Sequence, residues 1–205
     1  MRISLNNISK KYKRDVIFQN LSFEINYGDR VGIAGPNGSG KSTLLKVISA
    51  QTSLSKGEII YTNTDNKIID HEEVYNRFNF VAPYIELIEE FDLIEILSFH
   101  SGFRKSNFKS MQEIAELSRI NWRGRYIKDY SSGMKQRAKI LLALCFESDV
   151  VMLDEPSTNL DVEGIAWVKS MLNNHLNNRT LIIASNEVKD FDVIDKQLDI
   201  RDYKN

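Results

Sequence analysis

A glycine-rich run near the start of the chain has the residues needed to hold a polyphosphate. Gly35-Pro36-Asn37-Gly38-Ser39-Gly40-Lys41-Ser42 matches the pattern G-x-x-x-x-G-K-[ST]. Glycines let such a loop turn its backbone N–H groups inward around phosphate oxygens without a Cβ clash. A following helix adds its positive N-terminal end to the same anion. The run therefore predicts a phosphate-binding loop in which Lys41 reaches the β- and γ-phosphates and the Ser42 hydroxyl ligates Mg²⁺.

Two adjacent acids further along the chain supply the carboxylates that this chemistry requires. Four apolar residues, Val150–Leu153, precede Asp154 and Glu155, as at the end of a buried strand. Neighbouring side chains on a strand point in different directions. We therefore expect Asp154 to serve the metal and Glu155 to face the γ-phosphate as a general base or water-orienting group.

The surrounding pattern predicts the elements that position these groups. Strands are expected at Arg2–Ile8, Val16–Ile25, Arg30–Ala34, Gly57–Thr62, Val150–Leu153 and Thr180–Ser185. Helices are expected at Thr43–Ala50, Ser132–Phe146 and Val162–Leu176, and a stretch of helical spacing at about 84–130 reads as a helical insert. Buried strands that alternate with helices predict an α/β fold with a mainly parallel sheet.

A third motif narrows the class of protein. Tyr130-Ser131-Ser132-Gly133-Met134-Lys135-Gln136-Arg137 resembles the L-S-G-G-Q signature of ATP-binding cassette (ABC) proteins. Pro156–Asp161 looks like the D-loop of that family, and the order of phosphate loop, signature and acidic strand is the same. The resemblance spans about 3–200. It implies a P-loop NTPase core with a parallel sheet, an N-terminal antiparallel β-subdomain and a helical insert, all in one domain over 1–205. The core would be about 1–83 and 131–205, and the insert about 84–130.

The resemblance also implies a mechanism in which two cassettes sandwich two ATP molecules. Ser131 and Gly133 would then contact the γ-phosphate of the partner's ATP, with Ser132 between them as part of the trans signature, and the same N–H groups can serve as an ordinary helix cap. Tyr12 lies where the family has an aromatic residue that stacks on adenine. The implied cofactors are ATP and Mg²⁺, with Ser42 and Asp154 at the metal and Glu155 as the catalytic residue. The expected nucleotide-binding residues are Tyr12, Asn37, Gly38, Ser39, Gly40, Lys41, Ser42, Thr43 and Asn186.

Three departures from the family pattern affect what is expected. Ser132 replaces the first signature glycine, and Met134 replaces the glutamine. The family's glutamine at the junction with the helical insert is missing, since Pro83 or Tyr84 stands there. The strand Thr180–Ser185 is followed by Asn186 where the family has a histidine, and an amide carries neither proton nor positive charge. We therefore expect slow hydrolysis.

Composition limits the partners. There are 27 basic and 28 acidic residues, so bulk charge gives no reason to expect nucleic-acid binding. The single cysteine, Cys145, lies in an apolar run and reads as core. No apolar run reaches the length of about 20 residues that spans a bilayer. We therefore expect a soluble, cytoplasmic protein.

Two classes of partner remain for such a cassette. The first is a separate integral membrane subunit, which would dock on apolar residues at the start of the insert (Tyr84, Ile85, Leu87, Ile88 and Phe91) and hold the paired cassettes on the inner face of the cell membrane. The alternative is a soluble ABC ATPase that acts on the ribosome or DNA. A P-loop kinase or GTPase would leave the signature stretch unexplained.

Overall fold

The computed structural model describes residues 1–204, which form eight strands and six α-helices. The strands are β1 (Arg2–Tyr12), β2 (Asp15–Ile25), β3 (Arg30–Ala34), β4 (Lys56–Thr62), β5 (Phe78–Val81), β6 (Val150–Asp154), β7 (Thr180–Ser185) and β8 (Lys196–Asp199). The helices are α1 (Lys41–Ile48), α2 (His71–Val74), α3 (Leu93–Ser101), α4 (Met111–Leu117), α5 (Ser132–Cys145) and α6 (Val162–His175). The chain divides into two compact units, which are described separately. The first comprises 1–78, 148–155 and 178 onward, and the second 79–147 and 156–177.

The first unit contains a small antiparallel sheet in the order β2-β1-β4. Its central strand places Ile3, Leu5 and Ile8 in the core, with polar residues between them on the other face. This alternation is typical of a strand that is buried on one side. The predicted N-terminal antiparallel β-subdomain is therefore confirmed.

The same unit contains four parallel strands in the order β6-β7-β3-β8. Every residue of β6 and β7 is buried, which explains their nearly continuous apolar sequences. Because β7 lies between β6 and β3, the carboxyl ends of these three strands meet at one edge of the sheet. Ligands of open α/β sheets bind at this edge.

The second unit is mostly helical, and its helices begin at side-chain caps. Asp92 and Glu95 form a reciprocal capping box on α3, and Asp161 accepts a hydrogen bond from the Gly164 N–H at the start of α6. Within residues 1–204 no helix is both long and apolar enough to cross a membrane. Cys145 is buried, in keeping with a core role.

The compact units do not follow the predicted core and insert exactly. Helices α5 and α6 pack on each other, and α5 also packs on α3 and α4, so both group with 79–130. The boundaries of the core and the helical insert at 83/84 and 130/131 therefore stay a prediction. The strand β8 had no sequence prediction, because its residues, Lys-Gln-Leu-Asp, lack a run of apolar side chains.

Candidate functional site

The glycine-rich run forms the turn from β3 into α1, as its sequence predicts. Gly40 is the N-cap of α1 with φ of +104°, and a Cβ there would lie 2.4 Å from the Ile17 Cγ2 atom. An L-residue side chain therefore has neither the dihedral angle nor the space that this position requires. No side chain caps the helix, so its first N–H groups remain available to an anion. Asn37 and Gly38 are exposed at the tip of the loop, and Thr43 lies in the first turn of α1.

The Lys41 side chain is almost completely buried within the loop that it would serve. Its Nζ atom donates hydrogen bonds to the Gly35 and Pro36 carbonyl oxygens, at 2.9 and 3.3 Å. It also lies 3.2 Å from Oε1 of Glu155. The ammonium group thus stands at the centre of the loop, where it meets the acidic residues at the end of β6.

Asp154 and Ser42 form a pair of oxygen donors suited to Mg²⁺. The Asp154 carboxylate is buried and accepts a hydrogen bond from the Ser42 hydroxyl, while its Oδ1 atom has no hydrogen-bond partner in residues 1–204. Burial raises the pKa of Asp154, and the Ser42 hydrogen bond opposes that change, as do the positive charges of Lys41 and Lys46. A hard dication would satisfy the unpaired oxygen, so the residues present fit Mg²⁺.

Glu155 occupies the first position after β6 and has a strained backbone. Its φ is +50°, which is uncommon for a residue with a side chain, and its N–H donates to the Ala184 carbonyl oxygen at 2.8 Å. The carboxylate is held at both oxygens, by Lys41 at Oε1 and by the Ser185 hydroxyl, 3.2 Å from Oε2. Adjacent acids on one strand end therefore do point to different partners, Asp154 to Ser42 and Glu155 to Lys41 and Ser185.

The residue in place of the family's histidine lies beside the phosphate loop. Asn186 follows β7, is exposed, and donates a hydrogen bond from Nδ2 to Oδ1 of Asn37 at 3.2 Å. The fold thus brings together two residues predicted from separate motifs. The hydroxyl of Ser39 in the same loop is buried without a hydrogen-bond partner in residues 1–204, so it is a further polar atom that a bound ligand could satisfy.

Tyr12 has the exposure needed to stack on a flat ligand. Its side chain stands at the end of β1 and is 47% exposed. The Lys10 ammonium lies 4.6 Å from the centre of the ring, a cation–π contact that covers one face. The other face of the ring can take a base.

The signature residues belong to the second unit and begin α5. Ser131 caps the helix by accepting from the Met134 N–H at 3.2 Å, and Ser131 and Ser132 are both exposed. A Cβ on Gly133 would meet the Asn159 carbonyl oxygen at 2.9 Å, which ties the signature to the D-loop. Together they line a cavity of about 390 Å³. Arg137 of the signature stretch also lines this cavity, as do two basic residues that sequence reasoning missed, Arg119 and Arg125.

The predicted docking residues lie around a second cavity of this unit, of about 230 Å³ and mostly apolar. Ile85, Leu87 and Ile88 line it together with Phe99 of α3. Phe91 lies outside the lining but packs edge-on against Phe99, with ring centroids 5.9 Å apart. Tyr84, one candidate for the missing glutamine, is exposed and packs on Phe80.

The sequence reasoning also missed two residues beside Glu155. Ser185 and Asp190 are both buried, and Ser185 contacts the Glu155 carboxylate directly. A buried serine at the end of an otherwise apolar strand was the available signal.

Comparison with known proteins agrees with this geometry. Residues 18–158 match the family model described as ABC transporter. YybJ of Bacillus subtilis, named an uncharacterized ABC transporter ATP-binding protein, is 27% identical over 197 residues, covering 92% of this chain and 87% of YybJ. A Pyrococcus furiosus protein described as an ABC transporter ATP-binding protein superimposes with a TM-score of 0.86 at 23% identity, and all of both chains is covered. A dimeric ATP-binding cassette in a post-hydrolysis state, bound to ADP and Pi, gives a TM-score of 0.75 at 22% identity, covering 91% of this chain and 88% of that one. The structural likenesses establish the α/β cassette fold.

Proposed function

This chain belongs to the ABC transporter family of ATP-binding, ATP-hydrolysing cassettes, and we propose that two copies close around two MgATP to drive a separate membrane partner. One observation carries the proposal. Lys41, Ser42, Asp154 and Glu155, from two separate motifs, converge where β3 and β6 end at the same edge of the sheet.

Each of these residues has a defined task. Lys41, now hydrogen-bonded to the loop carbonyl groups and paired with Glu155, turns to the β- and γ-phosphates when ATP enters. Ser42 and Asp154 would hold Mg²⁺, which would neutralise phosphate charge when bound. Glu155 orients the attacking water and accepts its proton. Tyr12 stacks on the adenine, and Asn37 and Asn186, which are joined by a hydrogen bond from Asn186 to Asn37, lie near the terminal phosphate.

Dimer formation completes the site. Ser131 and Ser132 are exposed and Gly133 is half-buried at the N-terminus of a 14-residue helix, where N–H groups and small side chains suit an anion. We expect them to bind the γ-phosphate of the ATP held by the other copy. The dimeric cassette structure similar to this chain supports this arrangement.

The membrane partner is expected to dock on the apolar cavity lined by Ile85, Leu87 and Ile88, which would keep the cassette at the inner face of the cell membrane. Ile88 is 38% exposed, whereas a side chain that packed only within the core would be buried. Ile88→Glu should release the protein from native membranes without changing its affinity for ATP. Full retention of the variant in the membrane fraction would contradict the docking site.

A Glu155→Gln variant tests the central proposal. The amide keeps the shape of the side chain and loses its basicity, so ATP should bind while turnover stops. Light scattering with MgATP should then show a stable dimer for the variant and mostly monomer for the wild type. Glu72→Gln, the same change at an exposed residue of α2, should behave like the wild type. A Glu155→Gln protein that hydrolyses ATP at the wild-type rate would refute the assignment.

A further inference from the structure

The Ser185 hydroxyl, at the end of β7, lies at the centre of a small buried network. Its Oγ atom is 2.5 Å from Oδ2 of Asp190, 3.0 Å from the Glu187 backbone nitrogen and 3.2 Å from Oε2 of Glu155. Ser185 is fully buried, and Asp190 is 8% exposed. The network joins a carboxylate that has no role in the proposed function to one that does.

The hydrogen bonds fix the position of the Ser185 oxygen. A hydroxyl donates one proton and accepts through two lone pairs. The proton can be donated to Oδ2 of Asp190 at 2.5 Å or to Oε2 of Glu155 at 3.2 Å, so the hydroxyl links the two carboxylates, and the Glu187 N–H donates to the oxygen from another side. Asp190 itself is held by a turn in which its N–H donates to the Glu187 carbonyl oxygen at 3.1 Å. The Ser185 oxygen is therefore fixed in position, and so is Oε2 of Glu155, which it contacts.

We propose that Asp190 is a positioning residue for ATP hydrolysis, acting through Ser185 to hold the Glu155 carboxylate. The inference rests on the proposed role of Glu155. Lys41 holds Oε1 and Ser185 lies against Oε2, so the two contacts define the plane of the carboxylate. When Lys41 turns to a phosphate, the contact between Ser185 and Oε2 is the one that still supports the Glu155 carboxylate.

Two features make this contact important for the chain. Glu155 has a strained backbone with φ of +50°, so its side chain needs support to keep one orientation. The neighbouring position carries Asn186, which hydrogen-bonds Asn37 rather than Glu155. Misplacement of a catalytic group by about 1 Å costs roughly 100-fold in rate, so loss of one of two supports should have a measurable effect.

The first test separates positioning from folding. Asp190→Ala should lower kcat about tenfold, with KM and ATP affinity within about twofold of wild type, because the phosphate loop is untouched. Asp190→Asn keeps an acceptor oxygen and should recover most of the rate. Asp195→Ala, which removes an exposed carboxylate five residues away, should leave both constants unchanged. An Asp190→Ala protein with wild-type kcat, or one that loses ATP affinity in parallel, would overturn the inference.

The second test asks whether Asp190 and Ser185 act as a unit. Ser185→Ala should lower kcat as Asp190→Ala does, Ser185→Thr should retain activity, and the double alanine variant should be no slower than the slower single one. Multiplicative losses would mean independent structural effects and would refute the proposal. Should Asp190→Ala fail to fold, the Ser185→Ala and Ser185→Thr pair decides alone, since equal rates for the two would refute it.

The Glu155→Gln variant distinguishes failure of the catalytic role proposed for Glu155 from failure of the positioning role proposed for Asp190. If Glu155→Gln turns over at the wild-type rate, the proposed function of Glu155 fails. If Glu155→Gln is inactive and Asp190→Ala is normal, the positioning role fails alone.

Discussion

The Lys41 ammonium lies 3.2 Å from Oε1 of Glu155, so the cation expected to bind phosphate is paired with the carboxylate expected to activate water. ATP would compete with Glu155 for the same positive charge. Since Lys41 is buried, the exchange takes place in a poorly solvated site, where charge pairs are strong. Nucleotide binding would then free Glu155 for the attacking water at the moment when the γ-phosphate is in place.

Lys41→Ala should weaken MgATP binding roughly 100-fold, because a buried polyphosphate loses its main charge-assisted donor. Titration with a fluorescent ATP analogue measures the affinity. Lys56→Ala, at an exposed position of β4, is the control for loss of one positive charge. Equal affinities for Lys41→Ala and wild type would mean that this loop does not hold the phosphates.

The Ser42–Asp154 pair predicts a magnesium phenotype distinct from the loss of ATP affinity. Ser42→Ala removes one proposed ligand and the hydrogen bond that favours ionised Asp154. The Mg²⁺ concentration for half-maximal ATPase should rise at least about tenfold, the effect typical of losing even an outer-sphere partner. ATP binding measured without Mg²⁺ should change little. An unchanged Mg²⁺ requirement would remove Ser42 from the metal site.

Much of this site could be predicted from the sequence, because the phosphate loop and the acids of β6 are contiguous motifs at strand ends. The strand Thr180–Ser185 and the start of α5 at Ser132 were likewise predicted at the residues where they occur. The remainder depends on the order of strands. Asp190 follows no motif, and its link to Glu155 exists because β7 lies beside β6.

Two basic residues that line the signature cavity could not be predicted for the same reason. Arg119 and Arg125 precede the signature in sequence, but their types alone suggest ordinary exposed charge. Folding brings them to the cavity that Ser131 and Asn159 line. The local pattern therefore identified the signature motif but could not identify the arginines that line the same cavity.

His100 predicts a pH dependence of stability. Burial lowers the pKa of this imidazole, and Arg104 lowers it further; its Nε2 atom has no hydrogen-bond partner in residues 1–204. In the unfolded chain the group titrates near 6.5. Below that pH the unfolded chain binds a proton that the folded chain does not. The free energy of unfolding should therefore fall as pH drops below about 6.5, by at most about 1.4 kcal/mol per unit, until the folded pKa is reached.

His100→Phe should flatten this part of the stability profile, because the ring packs edge-on against Phe146 and phenylalanine cannot be protonated. Denaturant titrations from about pH 5 to about pH 8, the range in which histidine changes charge, measure the slope. His71→Asn, at an exposed histidine, is the matched control and should keep the wild-type slope. Identical slopes for His100→Phe and wild type would show that His100 does not couple folding to pH.

The last prediction concerns Asn186, where the chain departs from its family. Its Nδ2 atom donates to Asn37 Oδ1 at 3.2 Å, so the amide points to the phosphate loop from the end of β7. A histidine there could share a proton with the γ-phosphate and stabilise the charge that accumulates as the bond breaks. A charge-assisted contact of this kind contributes about 2–3 kcal/mol in the transition state, or roughly 10- to 100-fold in rate. Asn186→His should therefore raise basal ATPase at saturating MgATP while leaving ATP affinity nearly unchanged. Asn186→Gln, a longer neutral amide, controls for side-chain size and should not raise the rate. A histidine variant that is equal to or slower than the wild type would show that this site is built around the amide, with no place for the imidazole.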